Sequence, residues 1–172
     1  MASVFQALPR EPQEERYYRL VEMTAEAILI TKNSRIVYIN PAGLRLLGAT
    51  DPRQILGKFP LEVVHPDYHS VVQARSERLL KEGGRVPLLE QKWLRLDGSI
   101  VEVEVAASAY RDQDSFAIQV MARDITERKE AEVRFRTLVE EIPAITYISR
   151  YEPNCRAVYQ SPQVESLLGF SV

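Results

Sequence analysis

Only one cysteine, Cys155, occurs in the 172 residues, so no internal disulfide can form and a cysteine-rich zinc site is excluded. Long apolar runs are missing as well: none approaches the roughly 20 residues that a membrane span needs. The opening MASVFQALPREPQEER lacks the basic segment followed by an apolar one that marks a secretory leader. These absences read as a cytosolic segment that makes no membrane contact of its own. Basic charge is scattered rather than striped, and 22 Lys and Arg against 24 Asp and Glu leave a net charge of −2, which argues against nucleic acid as a partner. There is no glycine-rich phosphate loop, no Gly-x-Ser-x-Gly elbow, no His-Glu-x-x-His and no nucleophile with a base beside it. Catalysis by this segment is therefore not expected, and no metal site is.

What the chain does contain is a copy of itself. The stretch YYRLVEMTAEAILITKNSRIVYINPAGLRLLG from Tyr17 returns from Phe135 as FRTLVEEIPAITYISRYEPNCRAVYQSPQVESLLG. Leu20-Val21-Glu22 returns as Leu138-Val139-Glu140, 118 positions later, whereas Tyr38 and Leu46-Leu47-Gly48 return 121 positions later as Tyr159 and Leu167-Leu168-Gly169. A three-residue loop insertion near Glu152 to Asn154 accounts for the difference. A period of about 120 residues is too long for a solenoid and fits one globular domain. The organisation that follows is a loose leader (1–12), a domain with an N-terminal helix (13–125), a connecting helix (126–142) and the opening of a second domain (143–172).

Local patterns give a mixed order of elements. Apolar spacing at Tyr17, Leu20, Val21 and Ala25 predicts a helix from about Glu14 to Glu26. AILIT and RIVYI read as strands joined by KNS, whose Asn tolerates positive φ. Asn40-Pro41 reads as a helix cap and first turn, with the helix closed by Gly48, and a short helix is predicted from Pro52 to Leu56. The longest helix of the domain is predicted from near Pro66 to before Gly83-Gly84, with Tyr68, Val71, Val72 and Leu79 on one face and Arg75 among them. LLEQKWLRL and VEVEVA alternate as half-buried strands around an Asp97-Gly98 turn, Glu102 and Glu104 facing out, and SFAIQVMARDI closes the set as a strand covered on both faces.

YINPAGLRLLG after the second strand, WLRLDGS followed by VEVEV, and RDITERKEAE at the exit together resemble the PAS sensor family. The resemblance covers about Arg16 to Glu132, and the segment from Phe135 to Val172 resembles the front of a second PAS domain. It implies an α+β fold: a five-stranded antiparallel sheet of order 2-1-5-4-3, helices across one face, and flanking amphipathic helices. In many members sheet and helices enclose a pocket; in others that space is a packed core. Tandem modules of this kind resemble the input regions of histidine kinases and of cyclic-di-GMP synthases or hydrolases, which implies an output domain in the same protein.

Strand alternation and helix phase turn twelve residues inward: Ile28, Ile30, Val37, Tyr68, Val72, Arg75, Gln91, Trp93, Val103, Val105, Ile118 and Val120. Most of these are simply core. The candidate pocket lining among them is Arg75, Gln91, Trp93, Tyr68, Val72, Ile30, Val103 and Ile118. Arg75 and Gln91 are the informative members, because a polar group on an inward face costs free energy unless something pairs with it. Arg75 either snorkels to water along its apolar stem or meets a small anionic ligand whose hydrophobic body lies against Trp93. The family's haem-binding and photoactive flavin members set further requirements. Haem needs an axial ligand, and His65 and His69 both fall at a helix entry rather than where the resemblance would place one. Asn154-Cys155-Arg156 matches the reactive flavin motif but sits in the loop and strand of the second copy rather than on a helix. The cofactor stays unassigned, as a small organic or anionic molecule.

Asp124-Ile-Thr-Glu127 has capping-box spacing, and beyond it Ala131, Phe135, Leu138 and Ile142 recur at heptad spacing. That seam reads either as a helix packed on its own sheet or as a parallel two-stranded connector, through which, with the helix before Ala25, the chain forms a homodimer. Three functions stay open: a ligand-responsive sensor, a ligand-free dimerisation module, and a protein-docking module using the outer sheet surface. The second copy, with about 29 residues from Ala144, is below the roughly 40 that usually fold unaided. Its apolar face at Ile145, Tyr147, Ile148, Val158 and Leu167 is expected to be disordered or to need a partner, so the chain is expected to be a fragment.

Overall fold

The computed structural model describes residues 13–112, 115–142, 147–149, 157–161, 163–164 and 169. The leader, the Asn154-Cys155-Arg156 motif and the segment around Ala144 and Ile145 lie outside the described residues, as does Leu167. Helix α1 (Gln13–Met23) leads into β1 (Ala27–Lys32) and β2 (Arg35–Ile39), then α2 (Pro41–Leu46). Three single 3-10 turns follow at Pro52–Gln54, Pro60–Glu62 and Pro66–Tyr68, each begun by the proline whose fixed φ suits a first helical position. The last runs into α3 (His69–Glu82), after which β3 (Gly84–Leu94), β4 (Ile100–Asp112) and β5 (Ser115–Asp124) complete an antiparallel sheet of order β2-β1-β5-β4-β3. Fold class and strand order are those the resemblance implies.

Asn40 holds the front of this unit together. It is fully buried, and its Oδ1 accepts from the Ile28 amide (2.9 Å) and the Gly43 amide (2.8 Å). Its Nδ2 donates to the carbonyls of Val21 (3.1 Å) and Glu26 (3.0 Å). One side chain thus uses its full hydrogen-bonding capacity to cap α2, anchor β1 and tie the end of α1 to both. Gly43 is required by close approach: a Cβ there would lie 2.6 Å from Ile39 Cγ1. A second tie runs from the Tyr38 hydroxyl, which donates to Glu22 Oε1 (2.6 Å) while the ring meets Tyr18 edge-on. Burial, and then Glu22, push the Tyr38 hydroxyl above its ordinary pKa.

The core lies between the sheet and the 40–82 segment and includes Leu29, Ile36, Leu47, Ile55, Trp93, Val101 and Val103. Register corrects the phase expected for the first hairpin. Leu29 opposes Ile39 and Thr31 opposes Ile36, all buried, so the inward set on β1 is Ala27, Leu29 and Thr31. Ile28 and Ile30 take the other face, where Tyr38 opposes Ile30 and contacts α1, and Val37 is 50% exposed at a register shift. The cause is that AILI is apolar on both faces, so alternation carries no phase, and the polarity of Thr31 misleads. On α3, Leu79 is buried but Val71 is exposed, which narrows the expected apolar face. The outer face of β5 is only half-covered at Gln119 and Met121.

Beyond residue 125 the chain forms a second compact unit. Helix α4 (Thr126–Glu141) starts two residues past Asp124, which is still the end of β5 and pairs with Arg95 (3.7 Å), so Asp124 is not the residue next to the helix. No side chain of α4 is buried. Strands β6 (Tyr147–Ser149) and β7 (Ala157–Gln160) pair antiparallel.

Candidate functional site

Pro87 initiates the site's geometry. Lacking an amide hydrogen, it is admitted in a strand only at an edge or a bulge, and β3 is an edge strand whose register slips between Val86 and Leu89. At the slip the Pro87 carbonyl accepts from Arg75 Nη2 of α3 (2.6 Å). Across β3 the short segment Val63–His65 is docked as an extra edge: the Leu94 amide donates to the Val63 carbonyl (2.9 Å) and the His65 amide to the Lys92 carbonyl (2.9 Å). Sheet, α3 and this segment surround a cavity of about 60 Å³. A larger hollow of about 290 Å³ shares Thr31, Pro60, Val72, Ser76 and Ile118 with it and abuts it, with Phe59 and Phe116 in its wall.

Of the twelve residues expected inward, Val72, Arg75, Gln91, Trp93, Val105, Ile118 and Val120 line the inner cavity. Val103 is fully buried in the core but not in the lining, and Tyr68 packs against that core from the turn before α3. Ile28, Ile30 and Val37 are off the lining for the phase reason given above. Thr31, Ser76 and the Val63-Val64 pair belong to the lining and were not anticipated from sequence. The one available signal was the β-branched pair Val63-Val64, too short to read as a strand.

The polar chemistry of the lining is unbalanced. Gln91 and Trp93, two apart on β3 and each 3% exposed, leave Gln91 Oε1 and Trp93 Nε1 with no hydrogen-bond partner among the described residues. A buried polar atom left so costs about 1–3 kcal/mol. Arg75 is half-buried, and burial draws its guanidinium below its ordinary pKa. Among the described residues no Asp or Glu is in the lining. The histidines are engaged elsewhere: His69 Nε2 donates to the Val64 carbonyl (2.9 Å), His65 Nδ1 lies 3.4 Å from Asp67 Oδ2, and neither lines the cavity. Among the described residues no group of three or more His, Cys, Asp or Glu is placed to hold a metal, and no helix is long and apolar enough to cross a membrane.

Comparison with known proteins agrees with this architecture. Sporulation kinase A of Bacillus subtilis (strain 168) is 37% identical over 127 residues, 73% of this chain and 20% of that kinase, so the chain spans about a fifth of this relative. A PAS domain from Colwellia psychrerythraea superposes with TM-score 0.60 at 19% identity, covering 67% of this chain and 98% of the other. A sensory box histidine kinase/response regulator from Burkholderia thailandensis E264 gives TM-score 0.54 at 19% identity, covering 74% and 97%. The family described as the PAS fold matches residues 15–125, and the chain belongs to it.

Proposed function

We propose that this chain is sensory input for a signalling protein, in which a small molecule held in the cavity biases the PAS domain between two states. Helix α4 then carries the bias, as one strand of a helical dimer, to an output domain of the same protein. The carrying observation is the pair of buried polar atoms, Gln91 Oε1 and Trp93 Nε1, without partners among the described residues and carried by two residues that line a cavity abutting a larger hollow. A folded domain tolerates such atoms at a cost, and a ligand that pairs them in one state shifts the equilibrium by its difference in affinity between the two. Likeness to Sporulation kinase A favours a histidine kinase output over a cyclic-di-GMP enzyme. Exposure of Phe135 (64%) and Leu138 (58%) on α4, with Ile142 (45%) just past its end, favours pairing of α4 with a second copy.

A second PAS opening after residue 135 is part of this reading. Under the 118- and 121-residue offsets, the pairs Leu29 with Ile39, Ile30 with Tyr38 and Thr31 with Ile36 become Tyr147 with Gln160, Ile148 with Tyr159 and Ser149 with Ala157. The register shift falls at the same place in both.

A ligand-free dimerisation module is the second reading, favoured by the modest inner volume of about 60 Å³, below the few hundred Å³ usual for drug-sized ligands. Native mass spectrometry with an absorption spectrum on the purified chain separates the two. A retained small molecule, lost in Arg75→Ala without loss of fold, is the expected result. An apo dimer whose melting temperature no small molecule shifts would transfer the case to the scaffold. Light scattering tests the dimer, which a concentration-independent monomer would exclude.

A further inference from the structure

Resting on the sensing reading, the lining also narrows the class of ligand. Its charge is the first constraint. Among the described residues Arg75 is the single ionised side chain lining the inner cavity and faces no carboxylate there, and it stays protonated at all working pH values. A monoanion balances it. A dianion leaves one negative charge over, and a zwitterionic amino acid brings an ammonium for which the lining holds no carboxylate. A neutral molecule leaves the guanidinium as it was.

Hydrogen bonding is the second constraint, because the two unpartnered atoms ask for opposite things. Trp93 Nε1–H needs an acceptor and Gln91 Oε1 needs a donor. A carboxylate supplies acceptors for Trp93 and for the Arg75 donors not given to Pro87, but supplies no donor for Gln91. A hydroxyl on the adjoining carbon does. Size is the third: about 60 Å³ accommodates about four waters, or an organic molecule of two or three carbons, without displacing the apolar wall. The abutting hollow walled by Phe59 and Phe116 offers the approach.

We propose that the cavity takes a short 2-hydroxy monocarboxylate of the size of glycolate or lactate, its carboxylate on Arg75 and Trp93 and its hydroxyl donating to Gln91. Trp93 is the chain's one tryptophan and stands in the site, so its fluorescence reports binding directly.

The test titrates the chain with lactate, glycolate, propionate, propane-1,2-diol and alanine to tens of millimolar. A saturable Trp93 signal with lactate or glycolate is expected, with propionate weaker by about tenfold or more, the weight of one hydrogen bond in a desolvated site. Arg75→Gln is expected to weaken the acids by about tenfold or more. Gln91→Leu keeps the volume apolar and is expected to bring lactate down to the affinity of propionate while leaving propionate itself unchanged. Equal binding of lactate and propionate, or preference for the diol or alanine, would overturn the hydroxy acid while leaving cavity sensing in place. Lactate binding undiminished in both variants would place its site elsewhere and overturn the proposal. Silence toward all five, with a retained molecule of another class in native mass spectrometry, would overturn the hydroxy acid alone; silence with a bare apo mass would remove the sensing reading too.

Discussion

Hairpins β1–β2 and β6–β7 share a register, pair for pair and slip for slip, yet Leu29 is 3% exposed and its counterpart Tyr147 is 66% exposed. Their continuations also correspond. Asn40 and Ser161 are both fully buried, and Gly48 (φ +67) and Gly169 (φ +69) both adopt the left-handed conformation that glycine admits without strain. The environments differ because β1 is paired on its other edge with β5 from Ala27 to Lys32, whereas the described sheet around β6 has only β7. Tyr38 gives its hydroxyl to Glu22; Tyr159 has a buried hydroxyl with no partner among the described residues. Pairing is therefore a local property, carried by short-range sequence, while burial is conferred by strands about 90 residues away in the chain. A two-stranded ribbon by itself is marginal in water.

The strongest way to break the comparison is at Asn40. Asn40→Ala removes four hydrogen bonds and strands buried backbone groups, and is expected to lower the stability of the PAS domain by about 4 kcal/mol in urea unfolding followed by Trp93 fluorescence. Asn40→Ser installs the residue of the second copy, keeps the cap, loses the ties to Val21 and Glu26, and is expected to cost about half as much. Next in size is Leu29→Ala, expected to cost about 3 kcal/mol by leaving a core cavity, against less than about 0.5 kcal/mol for Tyr147→Ala in the same assay. Equal costs would mean that the second hairpin is as well covered as the first.

Tyr38→Phe sharpens the contrast with Tyr159. At neutral pH it is expected to cost about 1 kcal/mol or less, for one hydrogen bond that water partly screens. The sign with pH follows from the raised pKa in the folded state: the unfolded tyrosine ionises first, near pH 10, so its contribution is intact below that pH and is lost as pH rises further. Wild-type and variant stabilities should therefore converge above about pH 10, read by chemical denaturation at a series of pH values. The smallest effect is expected at Ser34→Gly. Asn33 (φ +51) and Ser34 (φ +59) form the first hairpin's turn with two positive φ angles, and glycine at the second should add a few tenths of a kcal/mol to the melting curve.

Much of the fold was legible where a residue type answers a local steric or hydrogen-bonding need. Asn40-Pro41 reads as a cap because an extended Asn can accept an amide three residues on while proline lacks one to lose, and it is one. Val101, Val103 and Val105 read as inward because Glu102 and Glu104 separate them, and they are buried. The site was legible in part, for the same reason: Gln91 and Trp93 share a phase marked by Glu90 and Lys92. Ile28 and Ile30 were misplaced because a strand covered on both faces shows no alternation.

The first hairpin's turn, the Asn40-Pro41 cap and the repeat of about 120 residues were determined by the sequence itself, since each depends on contacts between near neighbours or on comparison of one stretch with another; strand order followed only from the resemblance to the family, because β1 pairs with β5 about 90 residues away. Tertiary structure alone decided which face of β1 meets the core, that Val63–His65 docks on β3, and that Arg75 turns to the Pro87 carbonyl. It also decided that Gln91 and Trp93 line a cavity while Gln91 Oε1 and Trp93 Nε1 have no partner among the described residues. These depend on packing between segments distant in the chain, where the free energy of one side chain is set by the neighbours that other segments bring to it.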